Sequence, residues 1–572
     1  MFEVPLSERI NAGTLIVEGK VKKSVSFWDK VHKNIYTSHT IEVYKVFKGQ
    51  GIHEVTIVTE GGTVSMDKEV ASSALELEAG DVGIFICEDI NPGRASNLGF
   101  DSTKEFSVVA GQQGFFKYDL HSFSASDVFN RYENIYENLH ATLQKIIGHP
   151  FQTTQTFDPD VFPSKNINEK QSGSGLISYL SPKNVPSGTK DRLTIYGNGF
   201  GVGRDSGRVG FKNSDDGGRT TIYPDASQYL LWQDNKIIVE LPDNAGTGPV
   251  LVLTNSNGQD MSQDTLRVPY ARTTLTYKEE VERPQLVNKE SNGGYVWQMN
   301  TEFNANPDMK MAFLNSIITW RCNTLVNWSV GDSITIAKKG NDNINIATLD
   351  TYDKLQKGVL GVCYSYYSSC PDDGIWYVSG YDIVFRDTST WHFGTGPISS
   401  WQYDMESVML HELGHGHQLG HVINKKDVMH YALKAGTIKR NLSGSNLACA
   451  NLVLSQSTSS GACKYPPMQL LTTAICTDPT KDFYTFKEIN INPNPFVDQA
   501  FGIYNLEAET NVSIDVYSML GQKVANLIEE VRPAGKHVQI IDAAQLGLIK
   551  GMYMVRLTVG KNEYSKKLIS LF

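Results

Sequence analysis

The sequence predicts a multidomain protein, with mainly β accessory domains set around one α+β domain. Three observations predict it. At 572 residues the chain is too long for a single hydrophobic core, and about four domains is the expectation. Short β-branched segments punctuated by glycine run through both ends and the region from 176 to 271. Helical periodicity is confined to a stretch near 126–148, another from 306 to 320, and a third leading into residue 411.

Composition narrows the class. A hydrophobic content of 40% and a charged content of 20% are those of a globular protein. A net charge of −10 and a pI near 5.8 argue against a nucleic-acid partner, which would favour a basic face. No apolar run approaches the ~20 residues of a transmembrane segment. The opening MFEVPLSERINAG has no apolar h-region, so no export signal is visible. Alone this suggests a cytoplasmic protein, or else a chain whose leader has been removed.

Residues 1–150 read as a β-domain with a closing helix. TLIVEGKV, IEVYKVFKG and HEVTIVTEGG are strand-like. Val128, Phe129, Tyr132, Ile135, Tyr136, Leu139, Leu143 and Ile146 then follow helical spacing, with Ser126 to cap the start and Gly148 the end. Residues 151–175, rich in Thr, Ser, Asn, Pro and Gly, read as a linker. Residues 176–271 are strand-like again. Leu193, Ile195, Gly197, Gly199, Phe200 and Gly201, supported by Trp232, Pro242, Gly246 and Gly248, resemble the immunoglobulin-like TIG domain. Its expected role is that of a spacer rather than a glycan or protein contact. The glycines of GNGFGVG are not followed by Lys-Ser/Thr and a helix, so no phosphate loop is read there.

From 275 to 448 the pattern changes. Asn306 and Pro307 open a helix with Met309, Phe313, Ile317 and Trp320 along one face. DSITIAKK and YDIVFRD read as strands. Then come HELGHGHQLGH, residues 411–421, and DVMHY, residues 427–431. On a helix, His411 and His415 project from one face a turn apart, as two ligands of a tetrahedral Zn²⁺ must. Glu412 lies beside them without binding and can take a proton from zinc-bound water. His417 would turn away from that face. His421 can join as a third ligand only if the helix breaks after His415.

This stretch resembles the H-E-x-x-H-x-x-G-x-x-H signature of the metzincin metallopeptidases, and the residues around it resemble the matrixin-like members. The resemblance implies His411, His415 and His421 as zinc ligands and Glu412 as general base. It further implies Met429 as the methionine of a tight turn under the metal, and Tyr431 as a tyrosine near it. Gln418 stands where the family has its turning glycine. A non-glycine residue at positive φ costs roughly 1–3 kcal/mol, so either Gln418 makes the turn or Gly416 or Gly420 does. The strand near Tyr381 to Phe385 is expected at the cleft, where an extended substrate would add as a β-strand. One Zn²⁺ is the implied cofactor; Ca²⁺ is left open, and the sequence points to no site for it.

Residues 449–488 read as an irregular connector carrying cysteines. Cys363 and Cys370 are expected to close a short hairpin, with Cys449, Cys463 and Cys476 clustered later and disulfides favoured. Cys87, in GIFICED, reads as a buried thiol. From 489 to 572 the chain reads as a final β-sandwich. Asn494-Pro495, the Val516-Tyr517 strand with its Gly521-Gln522-Lys523-Val524 turn, Gly551, Tyr553 and Lys566-Lys567-Leu568 resemble the C-terminal sorting domain of type IX secretion cargo of Bacteroidota. That implies the type IX secretion machinery as a partner, a secreted or cell-surface location, and a leader missing from this sequence. The expectation is therefore a secreted zinc metalloendopeptidase acting on protein or peptide substrates. The alternative is a secreted adhesin or glycan-binding protein with a degenerate peptidase domain.

Overall fold

Alternation of buried residues organises the first domain. In the strand Val82–Asp89, Ile84 and Ile86 face one apolar cluster with Ile16 and Phe116, while Phe85 and Cys87 face another with Val17 and Phe115. The strands Leu15–Trp28, Ile35–Lys48 and Glu54–Glu60 pair antiparallel in sequence order beside it. The computed structural model describes residues 1–90, 97–99, 105–156, 176–255, 258–290, 293–352, 354–371, 374–471 and, except for 493, 498, 507, 508, 534 and 561, 489–572. Most of the predicted linker, part of the connector and Cys476 lie outside the described residues.

The closing helix starts later than predicted. Ser126 ends the strand Ser124–Ser126, and the Asp127 carboxylate accepts from the N–H groups of Phe129 and Asn130, a local turn that competes with helix. The helical segment begins at Ile135, where the Asn134 side chain accepts from Tyr136 and Glu137, and it ends at Gly148 with φ of 89°.

Residues 176–271 form two facing four-stranded sheets. Ile177–Ser181, Arg192–Gly197, Lys236–Glu240 and Tyr229–Gln233 make one. Thr221–Ile222, Arg208–Asn213, Ala245–Leu253 and Gln259–Leu266 make the other. Leu193, Ile195, Phe200, Val239 and Val252 are among the side chains filling the space between them.

The third sheet carries the candidate site. Trp328–Val330, Tyr295–Met299, Asn345–Leu349 and Trp376–Phe385 lie side by side and parallel. Gly361–Ser369 then runs antiparallel to Trp376–Phe385. Next to it lie two strands from the first domain, Asp67–Ala71 and Gly62–Val64. Trp376–Phe385 is thus an interior strand with neighbours on both sides. Within residues 295–385 the outermost strand on that side is Gly361–Ser369, and Asp67–Ala71 pairs along it, which corrects the expectation placed on Tyr381 to Phe385.

Two helices cover the sheet. Asn306 caps Pro307–Thr324 by accepting from Asp308 and Met309, and buries Met309, Phe313, Ile317 and Trp320 as predicted. Asp404 caps Met405–Gly416, and the Trp320 indole donates to the Leu410 carbonyl at 2.9 Å, tying the two together. Other expectations fail. DSITIAKK is not a strand; Ile334 makes one bridge to Asn300, and Lys339 turns instead into the first domain. Residues 449–459 belong to a helix, Gly444–Ser459, capped by Ser443 and burying Cys449, Val453 and Leu454 on one side. Cys370 pairs with Cys463, not with Cys363. Seven residues along an extended strand span ~23 Å, whereas a disulfide needs its Cα atoms within ~7 Å; here they lie 5.4 Å apart.

Met1–Leu471 form one compact unit and Thr472–Phe572 a second. In the second, Asn490–Asn492, Gln499–Leu506 and Gly535–Asp542 form one sheet. Lys523–Arg532, Thr510–Ser518, Gly551–Val559 and Asn562–Ser570 form the other, and Ile514, Val516, Val555 and Leu568 are among the residues closing the core. Among the described residues, no helix is long and apolar enough to cross a membrane.

Candidate metal centre

The helix Met405–Gly416 brings the Nε2 atoms of His411 and His415 to 3.1 Å from each other. The chain then has to reverse, and Gln418 makes the turn, with φ of 66°; neither Gly416 nor Gly420 has a positive φ. The strain is offset locally. The Gln418 amide oxygen accepts from the Tyr367 hydroxyl at 3.0 Å, and its amide nitrogen faces the carbonyls of His415 and Gly416 at 3.4 Å. The Gln418 carbonyl accepts from the Thr273 N–H at 3.0 Å. His421 returns to the other two imidazoles, with ring centroids 5.3 Å from His411 and 4.8 Å from His415.

Each of the three rings has its Nδ1 committed. His411 meets the Val428 carbonyl at 2.7 Å, His415 the Leu419 carbonyl at 2.9 Å, and His421 the Asp215 carboxylate at 2.7 Å. With Nδ1 donating, each Nε2 carries a lone pair. Burial favours the neutral rings, holding His411 and His415 well below the usual histidine range and His421 down to about 3. Their three nitrogens lie within 4.8 Å of one another, and among the described residues this is the group of three metal-capable side chains that converges. Three anchored, neutral imidazoles suit Zn²⁺, and hydrogen-bonded outer partners of this kind orient such ligands. His417 turns away, as expected, and packs between Trp320 and Trp328.

Met429 is buried next to the helix. A Cβ on Gly414 would sit 2.3 Å from its sulfur, so only glycine at 414 lets the methionine approach this closely. Asp427 shapes this turn by accepting from the Met429 N–H, Ser443 and Asn446.

Glu412 is buried, and its Oε2 accepts from the Ser72 hydroxyl and from the Cys363 N–H, each at 2.9 Å. Burial pushes its carboxyl up to about 7, against the hydrogen bond from Ser72 and that from Cys363. Tyr431 is committed elsewhere. Its hydroxyl donates to the Val128 carbonyl at 3.0 Å and accepts from Arg219 at 3.0 Å. Ser72 and Asp215 are the participants that sequence reasoning missed. Both come from other domains, and neither sits in a motif.

Comparisons with known proteins bear on the flanking domains. Residues 176–270 match the IPT/TIG domain, and residues 490–570 match the secretion system C-terminal sorting domain. The chain is therefore a secreted or cell-surface multidomain protein, mostly β, carrying a TIG domain and a type IX secretion sorting domain. No curated protein matches it. A crystal structure of the FMN-binding beta-glucuronidase from Facaelibacterium prausnitzii L2-6 aligns over 94% of this chain and 91% of its own, at 8% identity and a TM-score of 0.15. A likeness that slight carries no argument.

Proposed function

We propose that this chain is a secreted zinc metalloendopeptidase. What supports the reading above all is the convergence of three anchored imidazoles beside a buried, non-ligating glutamate. His411, His415 and His421 would hold the ion. Bound there, zinc would supply Lewis-acid polarisation of the scissile carbonyl and acidify water. Glu412 takes the proton from the attacking water and returns it to the leaving amine. Asp215 orients His421 and favours the tautomer with a free Nε2. Met429 packs beneath the helix and does no chemistry.

The alternative, a secreted adhesin or glycan-binding protein with a degenerate peptidase domain, is motivated by glutamine at 418 and by the three flanking β-domains. That glutamine adopts the required turn and accepts from the Tyr367 hydroxyl, which favours the peptidase reading on the first ground. The test is Glu412→Ala. Casein cleavage is expected to vanish while one zinc per chain is retained by metal analysis; undiminished cleavage would remove the proposal.

A further inference from the structure

The rim strand Gly361–Ser369 is the edge of the sheet beside Glu412, and the chain itself occupies it. Asp67–Ala71 pairs antiparallel with it, from Asp67 opposite Ser368 to Ala71 opposite Tyr364. The pairing continues at both ends. The Ser369 N–H donates to the Met66 carbonyl at 2.9 Å, and the Ser72 N–H donates to the Cys363 carbonyl at 3.0 Å. The added strand delivers the Ser72 hydroxyl to Glu412. Side chains clamp it. Lys339 and Glu69, each about 1% exposed, form an ion pair at 3.1 Å, and Lys339 lies 4.1 Å over the Tyr364 ring. Ser368 donates to Asp67 at 2.7 Å, and Tyr364 donates to Glu60 at 3.0 Å.

We propose that the hairpin Gly62–Ala71 is a built-in occupant of the substrate edge, standing where an extended peptide would pair and keeping the centre latent. This rests on the peptidase reading. Three features carry it. The pairing is backbone to backbone, which is how a peptide of any sequence adds to a sheet edge. Its register ends on the group that would activate water, so an incoming peptide and the hairpin cannot both be present. The strand is also foreign to the sheet it joins, since the strands it joins come from residues 295–385 and the hairpin from the first domain. Opening the hairpin therefore frees a strand-docking edge for extended polypeptide, with side chains of alternate residues pointing to either side.

The test compares the zinc-loaded full chain with Glu69→Lys, which sets a second ammonium against Lys339. A second form carries a sequence-specific protease site between the exposed residues Ser65 and Met66 and is nicked after purification, so it has folded before it is opened. Three quantities are read: hydrogen exchange at the amides of residues 361–369, affinity for a fluorescent casein-derived peptide whose central amide is an uncleavable reduced isostere, and casein cleavage. The expected result is exchange at the rim, peptide affinity and cleavage all at least about tenfold above wild type in one or both opened forms. Opened rims that bind the peptide without any cleavage would support the occupant and remove the peptidase reading instead. Wild type cleaving as fast as an opened form would overturn the latch and leave the peptidase standing. Rims that open without binding the peptide, or that stay protected in both forms, would overturn it too.

Discussion

The first domain and the TIG domain both reach the candidate centre with one side chain, and the two contacts differ in kind. Ser72 meets Glu412, the group that would handle protons, and arrives on a strand that fills the rim. Asp215 meets His421, a group that would hold the metal, and arrives on a short turn that occupies no sheet edge. The first contact competes with an extended substrate; the second does not. A domain expected to be a spacer is therefore part of the site's support, and the turn is held at its end by Ala271, which accepts from Gly420, and just beyond it by Thr273, which donates to Gln418. Covering and ordering are separable roles, and substitutions should move them in opposite directions.

The largest effect is expected on the covering side. Lys339→Met leaves Glu69 buried without its cation, and breaking a buried pair by one partner costs about 3–5 kcal/mol. The amides of residues 361–369 should lose protection, and Lys339→Met combined with Glu69→Leu should recover much of it. Protection unchanged in the single variant would mean that strand pairing alone holds the hairpin. On the ordering side, Asp215→Ala should weaken zinc about 10–100-fold, the usual effect of losing a ligand's outer partner, with no gain in rim exchange. Chelator competition measures it, and Asp215→Asn should lie between the two because it keeps an acceptor. Unchanged zinc affinity in the alanine variant would return the TIG domain to the rank of spacer.

Acid should act on the first sheet through one buried histidine. His39 bridges Ser24 and Thr59 inside the first sheet, and burial pushes it down to about 4, with Asp81 opposing. Its folded value lies below the unfolded one, near 6.5. Its share of stability is therefore full above pH 6.5 and is lost as pH falls towards 4. Between pH 6.5 and 5 that amounts to about 2 kcal/mol. Hydrogen exchange of the strands Ile35–Lys48 and Glu54–Glu60, read from pH 7 to 5 in wild type and in His39→Gln, isolates this share: the loss of protection on acidification should be smaller in the variant.

What was legible in the sequence follows from range. His411, Glu412 and His415 sit on one helix, so spacing carried their geometry, while His421 and Met429 lie beyond it and were legible through the family resemblance. The helix from Asn306 was legible because its cap and apolar face are local. Ser72 and Asp215 lie 340 and 206 residues from their partners, and nothing near either one marks it. Asp332–Lys339 alternates like a strand, yet the burial of Lys339 against Glu69 outweighs that propensity. The helix Gly444–Ser459 was obscured because its buried positions are Cys, Ala, Asn and Ser as well as Val and Leu. The pairing of Cys370 needed the third dimension altogether.

The finest distinction concerns Gln418, where covering and ordering meet. Its backbone makes the turn that delivers His421, and its side chain is held by Tyr367 of the rim strand. Glycine there would relieve the positive φ but abandon the Tyr367 hydroxyl in a buried site. Alanine would abandon the hydroxyl too and keep the positive φ. Losing one buried hydrogen bond costs about 1–3 kcal/mol, and strain at this φ is of similar size, so the two terms nearly cancel for glycine, while alanine loses the bond and relieves nothing. Gln418→Gly should thus change stability by less than about 1 kcal/mol in urea melts, while Gln418→Ala loses about 1–3 kcal/mol. Equal losses in both would show that the hydrogen bond to the rim, not the turn itself, is what glutamine provides.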